Sequence, residues 1–291
     1  MRLGLLGFGL IGGSIARAVR ASGSGWSVAA WSPTGSGPRD ALADGTIDAA
    51  ASTIQDAVAG AELIVLAAPP LACLELLDRL GGSLRAGLVA EAVVTDVAST
   101  KGQLVDRATH AGLRFVGGHP MAGRETSGWA ASTADLFVGR PWVIVPGDPA
   151  DVAARERVES LARACGAVPV TMSAGEHDAA VAAISHLPLV VAAALVEAVA
   201  GGDDGQARTD WPAAAALAAS GWQGATRLAR GDVEMGVGIV ATNAPAIAAR
   251  LRDLRAVLDG WLAELERSEG PDHADLAARL AAARRRLEDG A

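Results

Sequence analysis

Short apolar runs alternate with helically spaced stretches through the first half of the chain. Runs over 3–6, 27–31, 63–67, 93–96, 114–116, 142–145 and 168–171 read as strands. Between most of them, 14–21, 71–80, 102–111 and 152–165 place apolar residues at helical spacing. Such alternation predicts an α/β unit, a parallel sheet covered by helices on both faces. After Met172 the strand signals stop. "SAGEHDAAVAAISHLPLVVAAALVEAVAG" reads as one long helix, with Ser173 as N-cap, Glu176 completing a capping box and Pro188 imposing a kink. "GGDDGQARTDWP" reads as a loop, and a last helix spans 273–288. The boundary falls within 147–173, giving an α/β domain over 1–172 and an all-helical domain over 173–291. One layer of helices with long apolar faces cannot bury both its sides, so the helical half is expected to form a homodimer.

The chain has 291 residues, enough for two domains with buried cores, and 51 % of them are hydrophobic. A net charge of −8 without any basic cluster argues against a nucleic-acid partner. Cys73 and Cys165 have no metal-ligand spacing and read as buried thiols in a reducing compartment, so no metal is expected. The opening "RLGLLGFG" lacks the flanks of a signal peptide. No uninterrupted apolar stretch reaches membrane-spanning length, even "LPLVVAAALVEAVA", which carries Glu197. A cytoplasmic protein with no membrane partner is expected.

"LGLLGFGLIGGSIARAV" sets Gly7, Gly9 and Gly12 as G-x-G-x-x-G between the first strand and a helix. The first glycine permits the turn. The second lets the backbone around Leu10 and Ile11 approach a pyrophosphate at the helix N-terminus, and the third lets helix and strand pack closely. An NAD site wants an acid at the end of the second strand, but Ser32 stands there, followed by Thr34, Ser36 and Arg39. Small hydroxyls and an arginine suit a 2′-phosphate, so NADP is favoured, with NAD possible. Ala68 and Pro69 end another strand at the same edge and shape the cofactor crevice.

Two further loops are expected at that edge: "TDVASTKG" and "GGHPMAGRETSG". The second is poor in helix and strand formers and reads as a loop around His119. Together with "GFGLIG", "ISHLP" and "GWQGATRLA", these stretches resemble the prephenate/arogenate dehydrogenase family over most of the chain. The resemblance implies a Rossmann dinucleotide-binding domain followed by a helical dimerisation domain. It also implies oxidative decarboxylation of a cyclohexadienyl carboxylate. Hydride leaves ring C4 for the nicotinamide, the C4 hydroxyl loses its proton, and the ring carboxylate departs as carbon dioxide.

On the same resemblance His119 matches the catalytic histidine, a base suited to working near neutral pH. Ser99 matches a serine that orients substrate and histidine by hydrogen bonds. Arg227 matches an arginine that grips the ring carboxylate, and Glu125 an acid at the pocket mouth. Lys101, where a helix begins, receives no role. His186 lines the pocket or is a satisfied core histidine. His177, nine residues earlier, is expected on a different helical face and exposed, while His110 and His273 are expected to be solvated.

Where prephenate-using members often read "SHLPH", this chain has Leu189. Gly236 replaces a tryptophan, and Gly224 replaces an aspartate common in the family. These changes remove donors and bulk near the side-chain end of the substrate. They favour arogenate over prephenate, with the amino-deoxy analogue a smaller alternative. A β-hydroxyacid dehydrogenase would need a lysine in the helical half, and none follows Lys101. A non-catalytic NADP-binding sensor would have no use for His119 with Ser99. Sedimentation at micromolar concentration should show a dimer; a monomer would contradict the reading of the helical half.

Overall fold

The computed structural model describes residues 1–124, 126–148, 151–201 and 209–289. Its elements follow in order: β1 (Arg2–Leu6), α1 (Leu10–Ala21), β2 (Ser27–Trp31), α2 (Ser36–Ala43), β3 (Ala49–Ala50), α3 (Ile54–Val58), β4 (Leu63–Leu66), α4 (Pro70–Gly81), β5 (Val93–Asp96) and α5 (Gly102–His110). Next come β6 (Val116–Pro120), β7 (Pro141–Pro146), α6 (Val152–Ala164) and β8 (Val168–Thr171). The helical half holds α7 (Ala174–Val181), α8 (Leu187–Ala200), α9 (Trp211–Ala216), α10 (Ser220–Thr226), α11 (Val233–Thr242), α12 (Ala244–Leu265) and α13 (His273–Asp289).

Strands β3-β2-β1-β4-β5 form a parallel sheet in that order. β4 is wholly buried, as a parallel strand covered on both faces requires. The strand order reverses about β1, and the turns after β1 and β4 open on the crevice so created. A parallel bridge from Val94 to Phe115 carries the sheet on into β6. β7 then pairs antiparallel with β6 and parallel with β8. The expected all-parallel arrangement therefore fails at the last two strands. Between β6 and β7 the described residues hold only loop and a 3-10 turn, Trp129–Ala131, and no helix to return the chain for a parallel pairing.

β6 itself departs from the sequence reading. Glycines suggested a loop from Gly117 onward, yet the strand runs through His119 to Pro120. The glycines serve close approach. A Cβ on Gly118 would lie 2.6 Å from the Asp96 carbonyl oxygen, and one on Gly117 would lie 3.0 Å from Cδ of Lys101. β6 therefore lies flush on the end of β5, and His119 reaches the sheet's carboxyl edge.

α7 begins at Ser173 with both bonds of the expected capping box. The helix does not simply kink at Pro188. It passes through a π-turn, Ala182–His186, in which Leu187 N–H donates to the Ala182 carbonyl. Pro188, one residue on, has no N–H to continue the ladder. From Ala174 to Ala200 the helix is long and apolar enough to cross a membrane by length and composition, which corrects the expectation that no stretch is. The apolar run extends upstream of Leu187 as well as downstream. Little of it is buried within the chain, and Val237, Val257, Leu258 and Leu262 on α11 and α12 are exposed as well.

The helical half sits on the carboxyl edge of the sheet. Gly238 on α11 packs against Pro70 so closely that a Cβ would meet Pro70 Cδ at 2.9 Å. Thr242 Oγ1 donates to the Gly238 carbonyl and therefore accepts from Thr100 Oγ1 at 2.7 Å. Replacing Gly118 by alanine should destabilise the fold by about 1–3 kcal/mol through overpacking against backbone. Thermal unfolding checks this, and an unchanged Tm would contradict the close approach.

Candidate active site

The glycine turn fits a dinucleotide. Gly7 has φ +101°, and a Cβ there would sit 2.2 Å from the Ala67 carbonyl oxygen. Gly12 packs equally hard, its Cβ position 2.4 Å from the Gly7 oxygen. Gly9 differs: open space surrounds its Cβ position, and as N-cap of α1 it supplies no side chain to the helix's first N–H groups. Those groups, led by Leu10 and Ile11, are left to bind an anion. Across the crevice Ala68 and Pro69 close β4's end. At the end of β2, Ser32 Oγ accepts from Gly35 N–H at 3.2 Å, Thr34 and Ser36 hydroxyls lie 3.1 Å apart, and exposed Arg39 folds back over the turn.

His119 stands at the carboxyl end of β6, and two of its neighbours come from the helical half. Its Nδ1 is 2.8 Å from Nε2 of His177, whose Nδ1 is 2.8 Å from Oδ1 of Asp178. Asp178 also accepts from the N–H groups of Lys101 and Gly102, each at 2.8 Å, and so caps α5 from across the domain boundary. Burial works against the charged carboxylate, but bonds from His177, Gly102 and Lys101 hold its pKa below the ordinary value. Asn243 donates to the Asp178 carbonyl at 2.9 Å and lies 3.1 Å from Nδ1 of His186.

Burial, then the charge on Lys101 and the neighbouring His177 and His186, holds His119 well below the usual histidine pKa. Burial likewise takes His186 down to about 4. Both imidazoles are neutral near pH 7. Lys101 is the chain's single lysine, fully buried and paired with buried Asp96, which also accepts from Ala98 and Gly118 N–H groups. Burial raises the Asp96 carboxyl despite these donors. Against expectation, Ser99 makes no hydrogen bond to His119. Its Oγ is buried without a partner, as is His186 Nε2.

Arg227 opens an exposed 3-10 turn, Arg227–Arg230, that packs against α8. Glu125 lies outside the described residues. His110 and His273 are exposed. Cys73 and Cys165 are buried free thiols, each pushed up to about 12 by burial. No group of three or more histidine, cysteine or acidic residues able to hold a metal occurs among the described residues.

Residues 15–171 match the model of the nucleotide-binding domain of prephenate dehydrogenase, and residues 173–280 match its dimerization domain. The chain belongs to the prephenate dehydrogenase family. The prephenate dehydrogenase of Bacillus subtilis strain 168 is 34 % identical over 266 residues, 90 % of this chain and 68 % of that protein. The arogenate dehydrogenase of Synechocystis superposes with a TM-score of 0.78 at 31 % identity, over 99 % of this chain and 100 % of that one. The prephenate dehydrogenase of A. aeolicus, in complex with hydroxyphenyl propionate and NAD+, gives 0.83 at 25 %, over 99 % and 98 %. Family membership makes the protein an NAD(P)-dependent dehydrogenase that uses a nicotinamide dinucleotide.

Several residues drawn to this family's dehydrogenase site escape sequence reasoning. His177 is 1 % exposed, not solvated. Nine residues of regular α-helix are about two and a half turns, which sets His177 and His186 on opposite faces; the π-turn between them absorbs an extra residue and rotates the second by about 100°. Pro188 was the available signal. A sole lysine among so many arginines marks Lys101, because ammonium and guanidinium are not interchangeable when buried. Nothing local marks Asp178 or Asn243.

The histidine pKa values set a stability prediction. Below pH 6.5 the unfolded chain binds protons that folded His119 and His186 refuse. Their contribution is present above pH 6.5 and lost as pH falls toward 4, by up to about 1.4 kcal/mol per pH unit for each. Urea unfolding across this range should show that slope, and His186→Gln should remove one group's share. Stability independent of pH from 7 to 5 would contradict the buried neutral pair.

Proposed function

We propose that the protein converts arogenate to tyrosine by oxidative decarboxylation, with hydride transfer to NADP. It works as a homodimer joined through the helical half in the cytoplasm, without a membrane or nucleic-acid partner. One observation carries the chemistry: a neutral His119 held at the carboxyl edge of the sheet, where the glycine turn presents its free amides. Bound there, the nicotinamide supplies an acceptor for the hydride leaving ring C4. His119 takes the C4 hydroxyl proton as the carbonyl forms, and the pair from the breaking carboxylate bond then makes the ring aromatic.

Ser99 Oγ and His186 Nε2 are buried polar atoms without protein partners, suited to substrate oxygens. Asn243 explains the second. Its bond to a carbonyl, which only accepts, identifies the amide nitrogen; that nitrogen donates to His186 Nδ1 and leaves the imidazole hydrogen on Nε2. Arg227 offers a planar fork for the ring carboxylate. Ser32, Thr34 and Arg39, with no acid at the end of β2, favour a 2′-phosphate. An apolar groove lined by Val191, Leu195, Leu251, Leu254 and Leu258 supports the dimer, covered by a second copy.

Arogenate is preferred because the departures at Leu189 and Gly236 fall together. The Cβ position of Gly236 is 4.0 Å from Leu189 Cδ2, so one small apolar patch replaces the family's imidazole and indole. Prephenate, giving 4-hydroxyphenylpyruvate with NAD or NADP, is the second reading; the Bacillus subtilis and A. aeolicus relatives bear that substrate's name. The amino-deoxy analogue and a non-catalytic sensor are weaker readings.

Assaying arogenate and prephenate with NADP and NAD should give the highest kcat/KM for arogenate with NADP. A preference for prephenate or for NAD would overturn that part. His119→Asn should lower kcat by about 10²–10⁴-fold while cofactor still binds. The acid limb of the wild-type profile should lie below pH 6.5, as the depressed pKa requires. An unaffected His119→Asn variant would remove the base from the mechanism.

A further inference from the structure

A base must show its lone pair to the proton it takes, and a neutral imidazole has two ways to hold its one hydrogen. The hydrogen bonds around Asp178 decide between them. The carboxylate oxygens accept from two backbone donors, Lys101 N–H on Oδ1 and Gly102 N–H on Oδ2. Oδ1 also faces Nδ1 of His177 at 2.8 Å, and beside an ionised carboxylate that nitrogen must carry the hydrogen. In a His177 ring that holds one hydrogen, Nε2 is then a bare acceptor. His119 Nδ1, 2.8 Å away, must donate to it. The sole hydrogen of His119 is thereby spent on Nδ1, and Nε2 is left as a lone pair.

We propose that His177 and Asp178 are positioning residues that fix the tautomer of His119, so that its Nε2 presents a lone pair to the substrate hydroxyl. The proposal rests on the reading of His119 as the base. It explains why two residues of the helical half reach into the edge of the dinucleotide-binding half: orientation of the base is supplied across the domain boundary. The depressed pKa of Asp178 agrees with the ionised state that the chain of bonds needs. The other charged and titratable groups around His119, Lys101 and His186, do not bond to its ring. Lys101 is engaged with Asp96, and His186 with Asn243. The logic is that of a carboxylate orienting a catalytic histidine, with a second imidazole interposed.

The test uses the full-length protein labelled with 15N-histidine, read by two-bond proton–nitrogen correlation at pH 7.5. His119 should show a protonated Nδ1 and an unprotonated Nε2, and His177 a protonated Nδ1 only. His177→Leu removes the acceptor. It should move the His119 hydrogen to Nε2 and lower kcat by about 10–100-fold, with KM within about twofold. His177→Gln returns a carbonyl acceptor; it should restore the His119 tautomer and most of kcat. Where the leucine variant fails to fold, the wild-type and glutamine spectra decide alone. A His119 hydrogen on Nε2 in the wild type, a doubly protonated His177, or an unchanged His119 tautomer in the leucine variant would each overturn the proposal. The spectra need no turnover, so they stand even if the protein acts on neither arogenate nor prephenate.

Discussion

The carboxylate of Asp178 is the constraint on which the arrangement rests. It caps α5 of one half, holds His177 of the other, and its backbone carbonyl anchors Asn243. A largely buried charge is tolerable only where several donors compensate its lost hydration. Here those donors come from both halves of the chain, so the acid is satisfied only when the helices sit on the sheet edge. Packing enforces the same docking nearby, through Gly238 on Pro70 and Thr242 beside Thr100. A dehydrogenase of this kind needs a crevice between cofactor and substrate sides, and this polar seam holds the crevice in register.

Electrostatics at the seam explain how His119, the proposed base, stays unprotonated. A single buried ammonium, Lys101, is neutralised by Asp96 directly beneath β6. Burial, and after it the residual field of that ammonium, keeps His119 uncharged. The weakness of such a base would cost the proposed reaction little, because loss of carbon dioxide and aromatisation of the ring would drive it forward. β6 can lie over the ion pair only because Gly117 and Gly118 have no side chains.

Much of the fold was legible because parallel strands announce themselves. The ranges 27–31 and 93–96 coincide with β2 and β5, strands mostly buried between helical layers, and 168–171 with β8, a mostly exposed edge strand marked by its two valines. The short β3 and the helices α2 and α3 carried too little apolar periodicity to be read. In the site, Gly7 and Gly12 were legible because close backbone approach demands glycine there, and Gly9 because a bare N-cap leaves the first amides of α1 open. His119 was legible as chemistry but not as strand, because Gly117 and Gly118 serve tertiary approach rather than a turn. His177 was misread because helical phase was carried straight through a π-turn. Asp178 and Asn243 act through partners far away in sequence, which no local pattern reveals.

The central claim is that His119 Nε2 takes the proton from the C4 oxygen. A crystal structure of the protein with NADP and a phenolic product analogue tests it most directly. The phenol oxygen should lie within about 2.6–3.2 Å of His119 Nε2, with the ring carbon bearing it facing the nicotinamide. A phenol oxygen held by other groups, with His119 turned away from the ring, would contradict it.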